Sequence, residues 1–229
     1  YPGWPVVTGG LGGEPAVADL DGDGNKEIVI NFMGSEVGSS KVYERNGSIK
    51  WEFIKSNTPP RIGDVDSDGK PEVIVMVYWE TGDEEIVILN GEDGSQKERW
   101  RANRNWSYST ELSLADLDGD GNKEIIYPDA KKVYAASYKG VALQGFPRYI
   151  WDKKKQFDDN DCGSFEAPQY CYLTGLGIAD LNCDGQPDIY GTALNEYRNP
   201  SDPNSHPHAI FAFDKNARTI QGYPFPLRF

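Results

Sequence analysis

Residues 19–30 read Asp19-Leu20-Asp21-Gly22-Asp23-Gly24-Asn25-Lys26-Glu27-Ile28-Val29-Ile30, and this phrase returns three times. The second copy is Asp64-Val65-Asp66-Ser67-Asp68-Gly69-Lys70-Pro71-Glu72-Val73-Ile74-Val75. The third runs from Asp116 through Asp118, Asp120 and Gly121 to Glu124-Ile125-Ile126. The fourth runs from Asp180 through Asn182, Asp184 and Gly185 to Asp188-Ile189. The first acids stand 45, 52 and 64 residues apart. Each acidic phrase precedes a β-branched run, then a variable stretch, then two strand-like segments around a turn. The turn signals are Asn46-Gly47, Asn90-Gly91, Lys139-Gly140 and Asp214-Lys215; such pairs favour turns that match strand twist. Each unit therefore reads strand, acidic loop, strand, variable loop, strand, tight turn, strand. Four antiparallel strands in roughly 45–60 residues is the pattern of a β-propeller blade, and solenoid repeats are usually shorter. The fold class is all-β, a propeller of four-stranded blades, either a closed four-blade ring or part of a larger one. The blades fall at about 6–52, 53–100, 101–148 and 172–229, with 149–171 as an inserted loop, in one domain spanning 1–229. Gly145-Phe146-Pro147 and Gly222-Tyr223-Pro224 close two units, and Gly3-Trp4-Pro5 has the same form, as if another unit preceded it. The beginning at Tyr1-Pro2, without Met or an apolar leader, reads as a processed, fragment or truncated end.

The acidic phrase carries chemistry. Carboxylates at positions 1, 3 and 5 of a tight loop point at one centre, and Gly at position 6 permits the sharp turn. A backbone carbonyl near position 7 and the acid at position 9 complete a shell of hard oxygens. Ca²⁺ takes six to eight oxygens at about 2.3–2.6 Å, whereas Mg²⁺ demands a rigid octahedron with several waters. Four carboxylates this close repel without a cation. The EF-hand is excluded, because its position 12 must be a bidentate Glu. Here that position is Ile30, Val75, Tyr127 and Gly191, and β-formers follow rather than a helix. Up to four Ca²⁺ ions are expected, bound least tightly at Asp180–Asp188, where Asn182 removes a charge.

These loops resemble the FG-GAP or VCBS repeats, the calcium-binding blades of integrin α-subunit heads and of many secreted proteins. The resemblance covers about residues 10 to 226. It implies a β-propeller with Ca²⁺ in the loop between the first and second strand of each blade. It further implies an extracellular or cell-surface binding or adhesion role, and in some members lectin activity or a scaffold for a glycan-active enzyme. Carried over by position, the ligands are Asp19, Asp21, Asp23 and Glu27; Asp64, Asp66, Asp68 and Glu72; Asp116, Asp118, Asp120 and Glu124; and Asp180, Asn182, Asp184 and Asp188. Family propellers usually have seven blades, so four repeats leave a homo-oligomer or missing blades open.

Strand parity places a ligand face independently. Loops 1–2 and 3–4 of a blade lie on one face, and loops 2–3 and 4–1 on the other. The long segments 148–172, 195–208 and 101–110 are of the second kind, so they should emerge opposite the acidic loops. Long loops on a rigid scaffold are where function usually sits. They carry Arg148, Trp151, Asp158, Asp161 and Tyr170; Tyr197, Arg198, His206 and His208; and Trp106 and Tyr108. Aromatic faces with planar polar groups suit a glycan or an extracellular protein. Cys162 and Cys171 bracket eight residues and can form a local disulfide, as an oxidising setting allows, while Cys183 can stay free or pair with either. Asn46-Gly47-Ser48 and Asn105-Trp106-Ser107 are glycosylation sequons.

The chain has 229 residues, 36 Asp and Glu, 23 Lys and Arg, and a net charge of −13. This balance argues against nucleic acid, which needs clustered cations, and no run of 18 apolar residues can span a membrane. Fifteen of the acids stand at the sixteen loop positions; the 21 left nearly balance the 23 bases. No G-x-S-x-G, H-E-x-x-H or P-loop is present. The reading is therefore a calcium-stabilised binding module and not an enzyme. The alternatives are an assembly module that completes a propeller or filament with other chains, and the propeller of a glycan-active lyase or hydrolase.

Overall fold

The computed structural model describes residues 3–7, 10–33, 38–56, 58–78, 84–102, 111–129, 132–150, 171–195, 209–223 and 225–226. Among them no helix forms, and the strands fall into four antiparallel sheets. The β-branched runs after each acidic phrase make the second strand of each sheet, because such side chains pack well on a pleated surface.

In the first sheet β3 (Glu27–Met33) pairs with β1 (Leu11–Gly12) and β2 (Ala16–Ala18) along one edge and with β4 (Ser39–Tyr43) along the other; β5 (Ile49–Ile54) pairs with β4. The strand before the acidic loop is thus split in two. The second sheet orders β6 (Arg61–Gly63), β7 (Glu72–Tyr78), β8 (Glu84–Asn90) and β9 (Gln96–Arg101). The third orders β10 (Ser113–Ala115), β11 (Glu124–Pro128), β12 (Lys132–Ala136) and β13 (Arg148–Tyr149). The fourth orders β14 (Cys171–Ala179), β15 (Asp188–Asn195), β16 (Ala209–Phe213) and β17 (Phe225–Pro226). Every acidic phrase joins the first strand to the second, and position 12 lies inside the second strand each time.

The chain divides into two compact units. One comprises Tyr1–Asn103, Gly121–Lys123 and Ser137–Val141; the other comprises Arg104–Asp120, Glu124–Ala136 and Ala142–Phe229. In the first unit, alternate residues Val73, Val75 and Val77 of β7 form one core with Leu20, Val29, Val42, Trp51, Val87 and Leu89. That is the period of two a strand imposes. In the second, Ile126, Val133 and Ala135 pack with Leu173, Ile189, Phe211 and Phe213.

The tight turns between third and fourth strands are alike. Glu44 N–H donates to Ser48 O, Asn90 N–H to Ser95 O, Ser137 N–H to Val141 O and Asp214 N–H to Arg218 O, each at 2.8–2.9 Å. The residue before each of these acceptors has positive φ: Gly47, Gly94, Gly140 and Ala217. In the second turn the left-handed residue is Gly94, not the Gly91 of the Asn-Gly signal, because that loop is one residue longer. A preceding aromatic seats on each of the first three turns. Trp4 Nε1 donates to Arg45 O (2.9 Å), Trp51 Nε1 to Gly91 O (2.8 Å) and Trp100 Nε1 to Tyr138 O (3.0 Å).

Candidate metal centres

Each acidic loop is folded by its own side chains. The position-1 carboxylate accepts from the position-6 amide: Gly24 N–H to Asp19 (3.0 Å), Gly69 to Asp64 (3.0 Å) and Gly185 to Asp180 (2.9 Å). In two loops it also accepts from position 4, Gly22 and Gly119, at 2.7 Å. The position-5 carboxylate accepts from position 7, as Asn25 to Asp23, Lys70 to Asp68 and Gln186 to Asp184. Position 4 takes positive φ in all four loops, at Gly22 (77°), Ser67 (58°), Gly119 (81°) and Cys183 (61°). The sequence reading assigned that demand to position 6 alone. Ser67 and Cys183 hide it, since side-chain residues rarely adopt this conformation.

The acid at position 9 starts the second strand and turns under the loop. One of its oxygens accepts from the position-2 amide in every copy: Leu20 to Glu27 (2.8 Å), Val65 to Glu72 (3.0 Å), Leu117 to Glu124 (2.7 Å) and Leu181 to Asp188 (2.8 Å). These acids are 0–2% exposed. Burial pushes the carboxyls of Glu27, Glu72 and Asp188 above their ordinary values. Glu124 is pushed up to about 7, by burial first and then by Asp118, Asp120 and Asp116. The other oxygen of the acid, Glu27 Oε1 or Asp188 Oδ1, is buried with no hydrogen-bond partner among the described residues, as are Asp64 Oδ1 and Asp66 Oδ1. A buried carboxylate oxygen without a donor is costly. A hard cation is the partner that satisfies it, so the donor set fits a bound metal.

Three loops bring acids together. Ligand oxygens of Asp19, Asp21 and Glu27 lie within 4.8 Å of one another, as do those of Asp64, Asp66 and Glu72, and of Asp116, Asp118 and Glu124. The position-5 acids Asp23, Asp68 and Asp120 are not in these triads. In the fourth loop, Asn182 stands where the others have a third acid, and no such triad of acids forms among the described residues.

Two lysines that the sequence reading passed over reach into these loops. Both sit at a bulge in the fourth strand, where the register slips between Val42 and Tyr43 and between Ile88 and Leu89. Lys50 Nζ lies 2.5 Å from Asp21 and 2.9 Å from Glu44. Lys97 Nζ lies 2.5 Å from Asp66, 2.9 Å from Asp68 and 2.8 Å from Glu72. Hydrogen bonding to Lys50 holds Asp21 below the usual carboxylate range, and bonding to Lys97 does the same for Asp68. Both ammonium groups are held well above their ordinary value. For Lys97, burial opposes this, and the three carboxylates outweigh it. Beside the second loop, Asp68, Lys70, Glu72, Asn90, Gly91, Glu92 and Asp93 line a cavity of about 280 Å³.

Of the residues assigned to the ligand face, Arg148 lies in β13, half-buried, with its guanidinium carbon 5.8 Å from the centroid of the Phe213 ring. Trp106, Tyr108, Trp151, Asp158, Asp161, Tyr170, Tyr197, Arg198, His206 and His208 lie outside the described residues. So do Cys162 and the side chain of Cys171. Cys183 is exposed and free.

Glu124 gives a pH test. Its folded-state value, about 7, is above the ordinary 4.5, so the native state binds the proton more tightly than the unfolded chain. Its contribution is full below about pH 4.5 and is lost as the pH rises through about 7. In EDTA, wild type should lose melting temperature over that interval relative to Glu124→Gln, which cannot ionise. Parallel pH profiles of the two proteins would contradict this.

The comparisons with known proteins agree with this architecture. No curated protein matches the chain by sequence. Among solved structures, the rhamnogalacturonan lyase YesW is similar with a TM-score of 0.54 and 18% identity, covering 91% of this chain and 41% of that one. The Bacillus licheniformis rhamnogalacturonan lyase PL11 gives 0.52 and 16%, covering 93% and 50%. The C-terminal domain of Pseudomonas aeruginosa PilY1 gives 0.58 and 12%, covering 95% and 51%. The chain thus spans about half or less of the structures it resembles, and at these identities the likeness is one of fold: antiparallel four-stranded sheets in a propeller-like series. Among the described residues no helix is long and apolar enough to cross a membrane. The FG-GAP-like repeat model matches residues 64–127, from the first acid of the second loop to the strand after the third. Residues 64–127 thus match an FG-GAP-like repeat, and in all four loops the position-9 acid accepts from the position-2 amide in the same way.

Proposed function

We propose that the chain is a calcium-stabilised β-propeller segment of an extracellular protein, one blade per sheet, which binds a glycan or a protein through the loops opposite its metals. The observation that carries the calcium reading is the recurring buried position-9 acid, with one oxygen tied to the loop backbone and, in Glu27 and Asp188, the other left without a donor. Ca²⁺ suits the set because it accepts many carboxylate and carbonyl oxygens in flexible geometry. The ligands are those named by position in all four loops, and the fourth, with Asn182, binds least tightly. Four bound ions would bring the net charge from −13 to −5.

The glycan reading is supported by the aromatic and planar polar residues of the three long segments and by the two lyases of the same fold. An array of pectic and other polysaccharides, with rhamnogalacturonan among them, tests it. Binding that persists without release of unsaturated sugar supports a recognition module. Cleavage by the isolated chain would establish the enzyme alternative, and binding to no glycan or matrix protein would remove the recognition reading.

One observation favours the assembly reading as a second. Gly3 and Gly145 begin Gly-aromatic-Pro phrases, and each presses on a turn: a β-carbon at Gly3 would lie 1.6 Å from Asn46 O, and one at Gly145 2.8 Å from Asn216 O. Gly222, with the same left-handed φ, has no atom within 4 Å of that point among the described residues. The turn of the first sheet is already occupied by Gly3 and Trp4. A further turn, from another repeat or another chain, would fit Gly222-Tyr223. A strict monomer by native mass, with no binding to a separately made repeat, would remove this reading.

A further inference from the structure

The second and third loops have the same acid pattern, and the segments that follow the tight turns of their sheets differ at one decisive position. Counting from the turn, whose backbone hydrogen bonds fix the alignment, Lys50 and Lys97 correspond to Leu143 and Ile220. Lys97 is placed on the oxygens a metal would take. Its ammonium bonds Asp66, Asp68 and the oxygen Glu72 Oε1. The corresponding oxygen in the first loop, Glu27 Oε1, has no partner among the described residues, because Lys50 binds Asp21 and Glu44 instead. Leu143 packs against the apolar core of the second unit and has no charge to offer its loop.

We propose that Lys97 is a tethered cation of the second loop, which a divalent ion must displace before it binds there. This rests on the calcium reading of the loops. The consequence is a raised calcium threshold: the second loop fills only at a higher calcium level than its own acids would need without Lys97. When calcium is scarce, Lys97 offsets part of the second loop's negative charge, so the strands around it are less destabilised without metal. The first loop is intermediate, since Lys50 contacts only one of its position-1, -3 and -9 acids. An ammonium bound by several carboxylates is a charge-assisted hydrogen-bond donor in a partly desolvated place. Removing such a competitor should lower the calcium needed by about tenfold, the lower end of what hydrogen bonds to charged groups are worth.

Calcium titration of the metal-free chain by calorimetry tests this, with Lys97→Met and Lys97→Gln beside wild type. The step belonging to the second loop is the one that Asp64→Asn abolishes. Both Lys97 variants should move that step to about tenfold lower calcium and leave the others in place. In EDTA they should melt below wild type, and in saturating calcium they should recover. An unmoved second-loop step overturns the inference, as does a loss of melting temperature that is the same with and without calcium, which would mark Lys97 as a structural ion-pair partner only. Absence of any step that Asp64→Asn removes, in wild type and variants alike, overturns the calcium reading of this loop itself. Steps from the other three loops show whether that failure is local or general.

Discussion

Chelation with EDTA should lower the melting temperature by about 5–10 °C for each loop that loses a tightly held ion. The estimate follows from mass action: an ion present at a hundred times its dissociation constant adds about 2.7 kcal/mol to the native state. A chain of this size shifts by about 2–4 °C per kcal/mol. The physical source is the burial of Glu27, Glu72, Glu124 and Asp188 at 0–2% exposure, with two or three further carboxylates on each loop. Without metal, these acids are desolvated and mutually repelled. Calorimetric scans with calcium and with EDTA read the difference. Around the second loop the loss should grow when Lys97 is replaced by Met, because the ammonium that stands on Asp66, Asp68 and Glu72 is then missing when the ion leaves.

Trp51→Ala should destabilise the first unit by about 3–5 kcal/mol, the range for removing a buried large aromatic. Trp51 is 9% exposed, belongs to the core of Val73, Val75 and Val87, and donates to Gly91 O at 2.8 Å. It also covers the second turn: a β-carbon at Gly94 would lie 2.7 Å from the indole. Trp51→Phe keeps most of the buried area and loses the hydrogen bond, so it should cost about 1 kcal/mol plus a small packing loss. Denaturant unfolding of the three proteins in calcium gives the comparison. If Trp51→Ala costs no more than Trp51→Phe, the indole is not what holds the first sheet's fourth strand to the second turn.

Much of this could be read from the chain because the information is local. Position 9 begins a β-branched run, so Glu27-Ile28-Val29-Ile30 had to open a strand, and the nine-residue loop had to precede it. The turns at Asn46-Gly47 and Lys139-Gly140 are signalled by residues that tolerate left-handed backbone. What escaped the sequence depends on contacts between distant residues. Lys97 lies 25 to 31 positions from the acids it binds, and its direction follows from a bulge that adjacent residues do not announce. Trp51 and Gly91 are 40 residues apart. Ser67 and Cys183 concealed the second left-handed position of the loop because only two of its four occupants are glycine. A comparison of the four copies at the position three residues after each left-handed turn residue, Lys50, Lys97, Leu143 and Ile220, was the signal that could have found the lysines.

The central claim, that these loops are calcium sites, is tested most directly by the native mass spectrum of the chain equilibrated with calcium. Up to four added calcium ions are expected, with the weakest lost first and one fewer in each of Asp19→Asn, Asp64→Asn, Asp116→Asn and Asp180→Asn, which alter the acid common to all four loops. A spectrum with no calcium adduct, or one whose adducts are unchanged by all four substitutions, would contradict it.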